Sequence, residues 1–461
     1  VSASIGRLND HRRNQLILVA CILGSTVVFI DSTVVNVALP AIQRDLGGGL
    51  VLQQWVVDAY LLTLGSLILV GGSLGDLFGG KRVFMLGLAA FGLTSLLCAL
   101  AQNGTTLILG RGLQGIAGAL LTPAALATIT STFDGEERGA AIGTWTAWTG
   151  ISFVIGPLAG GWFVSIASWR AIFLINPPLV LVTMALAAYA LRSDDRTRSH
   201  ARVDFLGGAL CIVGLGGPVF ALIEQPKHGW SDPLILVSLI GGLALFGLFI
   251  AWESRATSPM LPLRLFHRRN FAWANAETLT VYAGLSTLTF FLVIFLQQLA
   301  GYSPIQSGLA TVPITVVMFF LSPRVGRLSM RFGPRLFMGL GPFICAAGLL
   351  LLLRLSPGFT YWRDLLGPLL VFSVGLSFIV APLTSTVLHD AGPSDAGIAS
   401  GINNAISRIA GLLGIAIVGA AVAGSGNLLS VSGFHESMAI TAALLCIGGA
   451  MGIGGIRNLA K

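Results

Sequence analysis

A chain of 461 residues that is 54% hydrophobic, only 10% charged and of mean hydropathy +0.85 lacks the polar surface of a water-soluble globule, in which about 25% of residues are charged. Its formal charge of +8 is scattered through many short segments rather than gathered on one basic face, so it gives no reason to invoke nucleic acid. The apolar residues form blocks of the length a helix needs to cross a hydrocarbon core of roughly 30 Å. The short alternating segments of a membrane β-barrel are absent.

The first block, 16–40, is too long for the apolar region of a signal peptide and lacks a small-residue cleavage pattern, so it reads as a retained helix. Helices are then expected at 53–73, 83–102, 105–131, 138–164 and 171–191. A pair follows at 204–223 and 233–252, and six more at 270–299, 306–323, 336–355, 364–386, 399–423 and 436–456. The fold class is therefore all-α and polytopic, with fourteen transmembrane helices. If both termini are cytoplasmic, 20 of the 27 Lys and Arg fall in cytoplasmic segments and five (Arg44, Arg170, Lys227, Arg354 and Arg363) on the other side. That is a strong positive-inside bias. Arg111 and Arg408 fall within helices. The five cysteines lie inside apolar blocks without CxxC spacing, and no metal or other cofactor is expected.

The loop after the second helix reads GSLGDLFGGKR (Gly72 to Arg82), and that after the tenth reads GRLSMRFGPR (Gly326 to Arg335). Each has Gly, Leu two later, and Gly seven after the first with basic residues behind it. An echo offset by eight helices implies two six-helix halves separated by an inserted pair, the duplication of a rocking-type carrier. The expected divisions are 1–192, an N-terminal half; 193–255, a linker with the inserted pair; and 256–461, a C-terminal half. Two catalytic look-alikes fail on context. The GxSxG at Gly71–Gly75 has no strand-to-helix elbow or histidine partner, and the GxxxxGK at Gly75–Lys81 has Arg82 in place of Ser/Thr and no preceding soluble strand. An enzyme is not expected.

Four segments together resemble the major facilitator superfamily, specifically its fourteen-helix drug:proton antiporter branch of QacA/EmrB type. They are IDSTVVNVALP (Ile30 to Pro40), the Gly72–Arg82 loop, LGRGLQG (Leu109 to Gly115), and Gly143 followed by GPLAGG (Gly156 to Gly161). The entry to the sixth helix, SWRAIFLINPP (Ser168 to Pro178), is also typical. The chain departs from the pattern at Leu77 and Gly80, where basic residues are common, and at Ser152, where a further Gly is usual. The resemblance implies proton-coupled export of amphipathic, often cationic drugs across a bacterial inner membrane, by a monomer that alternates access to a cavity between its halves. Partners would then be small solutes, protons and the bilayer, with the proton gradient as energy source. Dedicated export of one metabolite is the alternative, and an uptake symporter the third reading.

Ionisable groups within a bilayer cost roughly 2.5–3.5 kcal/mol each and are functional candidates. Asp31 and Arg111 carry opposite charge at similar expected depth, and are read as a proton-coupling pair, with a fixed structural salt bridge as the alternative. Asp58 joins them as a candidate for proton handling. Glu277, deep in the ninth helix, is read as a contact for a cationic solute, while Glu224 is expected to be merely solvated. Asn36, Gln114, Trp145, Trp148 and Phe153 are further candidate solute contacts, the aromatic ones competing with a role as interfacial anchors. Gly72, Asp76, Gly79, Lys81 and Arg82 are expected to form a gate that latches the cytoplasmic side. Gly143, Gly156, Gly160 and Gly161 are expected to permit close helix approach, and Pro157 to bend the fifth helix. Arg408 with Asn403 and Asn404 forms a candidate polar network in the C-terminal half.

Overall fold

The computed structural model describes residues 2–191, 203–392, 395–424 and 430–458; the side chains of 2–11, Glu136 and Phe153 lie outside this description. Five of the basic residues counted above, Arg192, Arg196, Arg198, Arg202 and Lys461, are also outside it. Every described element is helical, and among the described residues fourteen helices are long and apolar enough to span a membrane. They are α1 (Ser2–Leu46), α2 (Gly49–Phe78), α3 (Gly80–Ala99), α4 (Gly104–Thr132), α5 (Gly135–Ile166), α6 (Ala171–Ala190) and α7 (Phe205–His228). The rest are α8 (Pro233–Glu253), α9 (Arg269–Leu299), α10 (Pro304–Phe332), α11 (Pro334–Leu351), α12 (Tyr361–Ala391), α13 (Ala396–Gly424) and α14 (Val431–Gly455).

Most helices outrun their apolar blocks, because backbone groups leaving the hydrocarbon remain hydrogen-bonded when the helix continues. The two motif "loops" are the clearest case. Gly72–Phe78 is still α2 and Lys81–Arg82 is already α3, so that Gly79 alone breaks the helix; Gly333 does the same between α10 and α11. Both have positive φ (92° and 88°), where glycine carries no steric penalty. The basic residue two positions later closes a neighbouring helix end in each half. Lys81 donates to the carbonyls of Ala188, in the last turn of α6, and Leu191 just beyond it, and Arg335 Nε donates to Ile453 O in α14 at 2.7 Å. Cations suit the carbonyl end of a helix. Elsewhere side-chain caps start helices, as Asn103 does for α4 and the Ser303–Gln306 capping box for α10.

The two halves pair their helices alike. The packed pairs α1–α5, α2–α4, α3–α4, α3–α6 and α1–α6 have counterparts in α9–α13, α10–α12, α11–α12, α11–α14 and α9–α14. The halves meet along two seams, α2 against α13 and α5 against α10. The inserted α7–α8 pair is not detached: α7 packs on both α2 and α13, flanking the first seam. Large apolar side chains such as Val237, Ile240 and Leu243 of α8 stand exposed, as a lipid-facing surface requires.

Candidate functional site

The buried polar centre of the N-terminal half is built on α1, α3, α4 and α6. Asp31 is fully buried and Arg111 is 1% exposed. Arg111 Nη1 donates to Asp31 Oδ2 at 2.5 Å and to Gln114 Oε1 at 2.6 Å. Asp31 Oδ1 accepts from Gln114 Nε2 (2.9 Å) and Asn176 Nδ2 (3.0 Å), and both amides also donate to Ser95 Oγ. Arg111 Nε donates to Val56 O of α2 (3.0 Å), and its guanidinium lies 4.2 Å from the centre of the Tyr60 ring. Such a pair holds together in low dielectric only because its remaining lone pairs and protons are also satisfied.

Beside this centre a cavity of about 470 Å³ lies between the halves, within the size range of small-molecule sites. Arg111, Tyr60, Asn36, Trp145, Asn404 and Arg408 line it. Its lining reaches Leu126, Ile142, Leu388 and Ser400, toward the ends of α4, α5, α12 and α13 that share a face with the chain termini. We call that face inner. Among the described residues no hydrogen bond or ion pair joins the inner ends of α4 and α5 to those of α12 and α13. The outer end is closed: Gln297 donates to Val37 O (2.8 Å), Gln298 to Gln43 Oε1 (2.6 Å) and Gln54 to Ile415 O (3.1 Å). The α5–α10 seam closes there as well. A Cβ on Gly161 would lie 2.6 Å from Ile305 Cα, and one on Gly308 would lie 2.3 Å from Pro157 O.

The structure thus brings Asp31 and Arg111 together and sets Asn36 and Trp145 on the cavity wall, Trp145 donating to Ser25 Oγ of α1. Other residues fall elsewhere. Gln114 orients Asp31 and is absent from the cavity lining. Trp148 is 54% exposed and absent from the lining. Glu277 is fully buried with neither carboxyl oxygen hydrogen-bonded, and it too is outside the lining. In this arrangement Glu277 is turned away from the cavity: α9 directs its side chain into the C-terminal bundle, on the face where Thr280 and Gly284 meet Gly448 and Leu445 of α14.

Asp58 is likewise buried with both oxygens unpartnered. Helical spacing puts it on the face of α2 where Gln54 meets Ile415 and Gly65 meets Arg408, which is the seam with α13. Gly156 and Gly160 pack against Thr33 and Val34 of α1, and Gly161 against α10, whereas a Cβ on Gly143 would meet nothing within 4 Å. Close approach therefore needs three of the four glycines. Pro157 lies inside α5, which runs unbroken to Ile166. Asp76 and Arg82 are exposed and make no ion pair among the described residues, so the latch is not formed in this inner-open arrangement. Asn403 bridges to Asn275 and Thr278 of α9, separate from Arg408. Glu224 is not merely solvated: it accepts from Trp55 Nε1 at 2.8 Å.

Ser95 and Asn176 are the members of the centre that sequence reasoning passed over. An amide directly ahead of two prolines at the start of an apolar span was a usable signal for Asn176; Ser95 offered none.

The sequence profile described as Major Facilitator Superfamily matches residues 21–415. The cephamycin export protein CmcT of Amycolatopsis lactamdurans is 36% identical over 415 residues, covering 89% of this chain and 85% of that protein. The methylenomycin A resistance protein of Bacillus subtilis is 34% identical over 91% of this chain and 90% of its own length. The puromycin resistance protein pur8 of Streptomyces alboniger is 35% identical over 87% and 80%. Among solved structures, a bacterial homolog of the human lysosomal transporter Spinster, inward-facing and unoccupied, superposes with TM-score 0.68 at 18% identity over 96% of both chains. At that identity the likeness concerns the fold alone.

Proposed function

We propose that this chain, which belongs to the Major Facilitator Superfamily and is a transporter of the bacterial plasma membrane rather than an enzyme, exports an amphipathic small molecule in exchange for protons. The observation that carries this reading is the buried Asp31–Arg111 pair set against a cavity open to one face only. Arg111 belongs both to the pair and to the cavity wall, so a proton arriving at Asp31 changes the charge compensation of a residue that faces the solute. The solute enters from the inner face, taken as cytoplasmic from the distribution of Lys and Arg. Outward opening separates Gln297 from Val37 and Gly161 from Ile305, and brings Asp31 a proton from outside. The protonated carrier then returns inward. On this reading the two six-helix halves move as two bodies, α7 of the inserted pair flanks their α2–α13 seam, and a monomer is sufficient.

The test is transport by purified protein in liposomes carrying an internal pH indicator. Solute moving one way should drive protons the other way, and an imposed pH gradient should drive solute uphill. Solute flux indifferent to the pH gradient would contradict the proposal. A second reading, dedicated export of one antibiotic, is favoured by relatives named for cephamycin, methylenomycin A and puromycin. It predicts that one compound in a broad panel is transported and that structurally unrelated drugs are not.

A further inference from the structure

A cavity suited to an organic cation offers it a carboxylate, and this one offers a guanidinium. Among the described residues lining it there is no Asp or Glu, and the two charged side chains are Arg111 and Arg408. Arg111 is compensated by Asp31 at 2.5 Å. Arg408 has no carboxylate partner among the described residues, and its Nε is buried without a hydrogen bond. Its guanidinium lies 5.1 Å from the Phe29 ring centre. Gly65 makes room for its stem, since a Cβ there would come 3.2 Å from Arg408 Cβ.

A guanidinium in partly desolvated surroundings without a counter-charge is costly. Its planar fork of donors matches carboxylate, sulfonate and phosphate oxygens. We infer that the transported solute is an amphipathic anion whose acidic group is bound by Arg408, its apolar body lying against Trp145, Leu285 and Ile314 of the same cavity. The inference rests on the exporter reading and gives it a substrate class. It also places the solute's acidic group and the proton on different halves, Arg408 on α13 and Asp31 on α1, so that exchange is enforced by the change of state rather than by competition for one carboxylate. An electrical consequence follows. With one proton per solute, an anion leaving as a proton enters moves two charges, a neutral solute moves one, and a monocation moves none. A potential negative inside therefore drives export of the anion most strongly.

The probes are anilinonaphthalene sulfonate, phenylnaphthylamine (the same rings without the sulfonate) and ethidium, with fluorescence titration of the purified wild type, Arg408→Gln and Arg408→Lys. The wild type should prefer the sulfonate. Arg408→Gln should weaken the sulfonate on the order of tenfold to a hundredfold, as expected for loss of a charge-assisted hydrogen bond, and leave phenylnaphthylamine unchanged. Arg408→Lys should recover part of the loss. Equal weakening of both naphthalenes, or tighter binding of ethidium than of the sulfonate by the wild type, would overturn the inference. Should Arg408→Gln fail to fold, wild-type liposomes decide: a valinomycin-set potential, negative on the side from which solute leaves, should accelerate sulfonate efflux more than phenylnaphthylamine efflux, and no difference would overturn the inference. Proton-coupled ethidium efflux untouched by Arg408→Gln would remove the anion site while leaving the exporter standing. Arg408-dependent sulfonate binding without proton-linked flux would do the reverse.

Discussion

Arg111 is held from several sides: Asp31 and Gln114 at its tip, the Val56 carbonyl at Nε and the Tyr60 ring against its face. Removing either charge leaves the other buried and uncompensated, which typically destabilises by about 3–5 kcal/mol, whereas replacing both by neutral groups is often tolerated. Asp31→Asn and Arg111→Gln should each lower the thermal midpoint of the detergent-purified protein clearly, and the double variant should lose less than the two losses summed. Additive losses would mean that the residues are not coupled. The pair was legible in the sequence because two opposite charges at similar depth in apolar helices have few other fates. The roles of Gln114 and Glu277 were not, because an amide or carboxyl on a membrane helix can face a cavity or a neighbouring helix, and only packing decides. Phe153 lies on the same stretch of α5, its side chain outside the described residues.

At the scale of helices, the glycines of α5 separate into two kinds of contact. Gly156 and Gly160 hold α1 against α5 within one half, while Gly161 opposes Ile305 across the outer seam between halves. Gly161→Ala and Gly308→Ala should therefore hinder outer closure. Alkylation of a single cysteine placed at Gln298 should then become about fivefold or more faster, as the equilibrium between states moves by roughly 1 kcal/mol. Gly143→Ala should change neither that rate nor transport. Equal effects at Gly143 and Gly161 would count against this division. The motif was readable as a string of glycines, but which ones touch a neighbour depends on crossing points that no spacing rule supplies. The repeated turn was more transparent, because a glycine forced to positive φ with a cation two residues on has a local cause in each half, seen at Gly79–Lys81 and Gly333–Arg335.

For the whole molecule, fourteen helices and the six-plus-two-plus-six order follow from apolar block length and one echoed turn. The place of the inserted pair does not. The structure sets α7 against both halves at the outer end, where Glu224 accepts from Trp55 of α2 and Gln225 donates to Ala420 O of α13 at 3.4 Å. Glu224→Ala should loosen outer closure in the same alkylation assay without removing solute binding. An unchanged rate would make the pair a passive neighbour.

The central claim, that Asp31 couples protons to solute in an alternating carrier, is tested most directly by separating exchange from net transport in liposomes. Asp31→Asn fixes the site in a neutral form. It should retain solute-for-solute exchange at equal pH on both sides, since loaded carriers still alternate, while losing accumulation driven by a pH gradient. A variant that accumulates solute under a pH gradient as the wild type does would contradict the account.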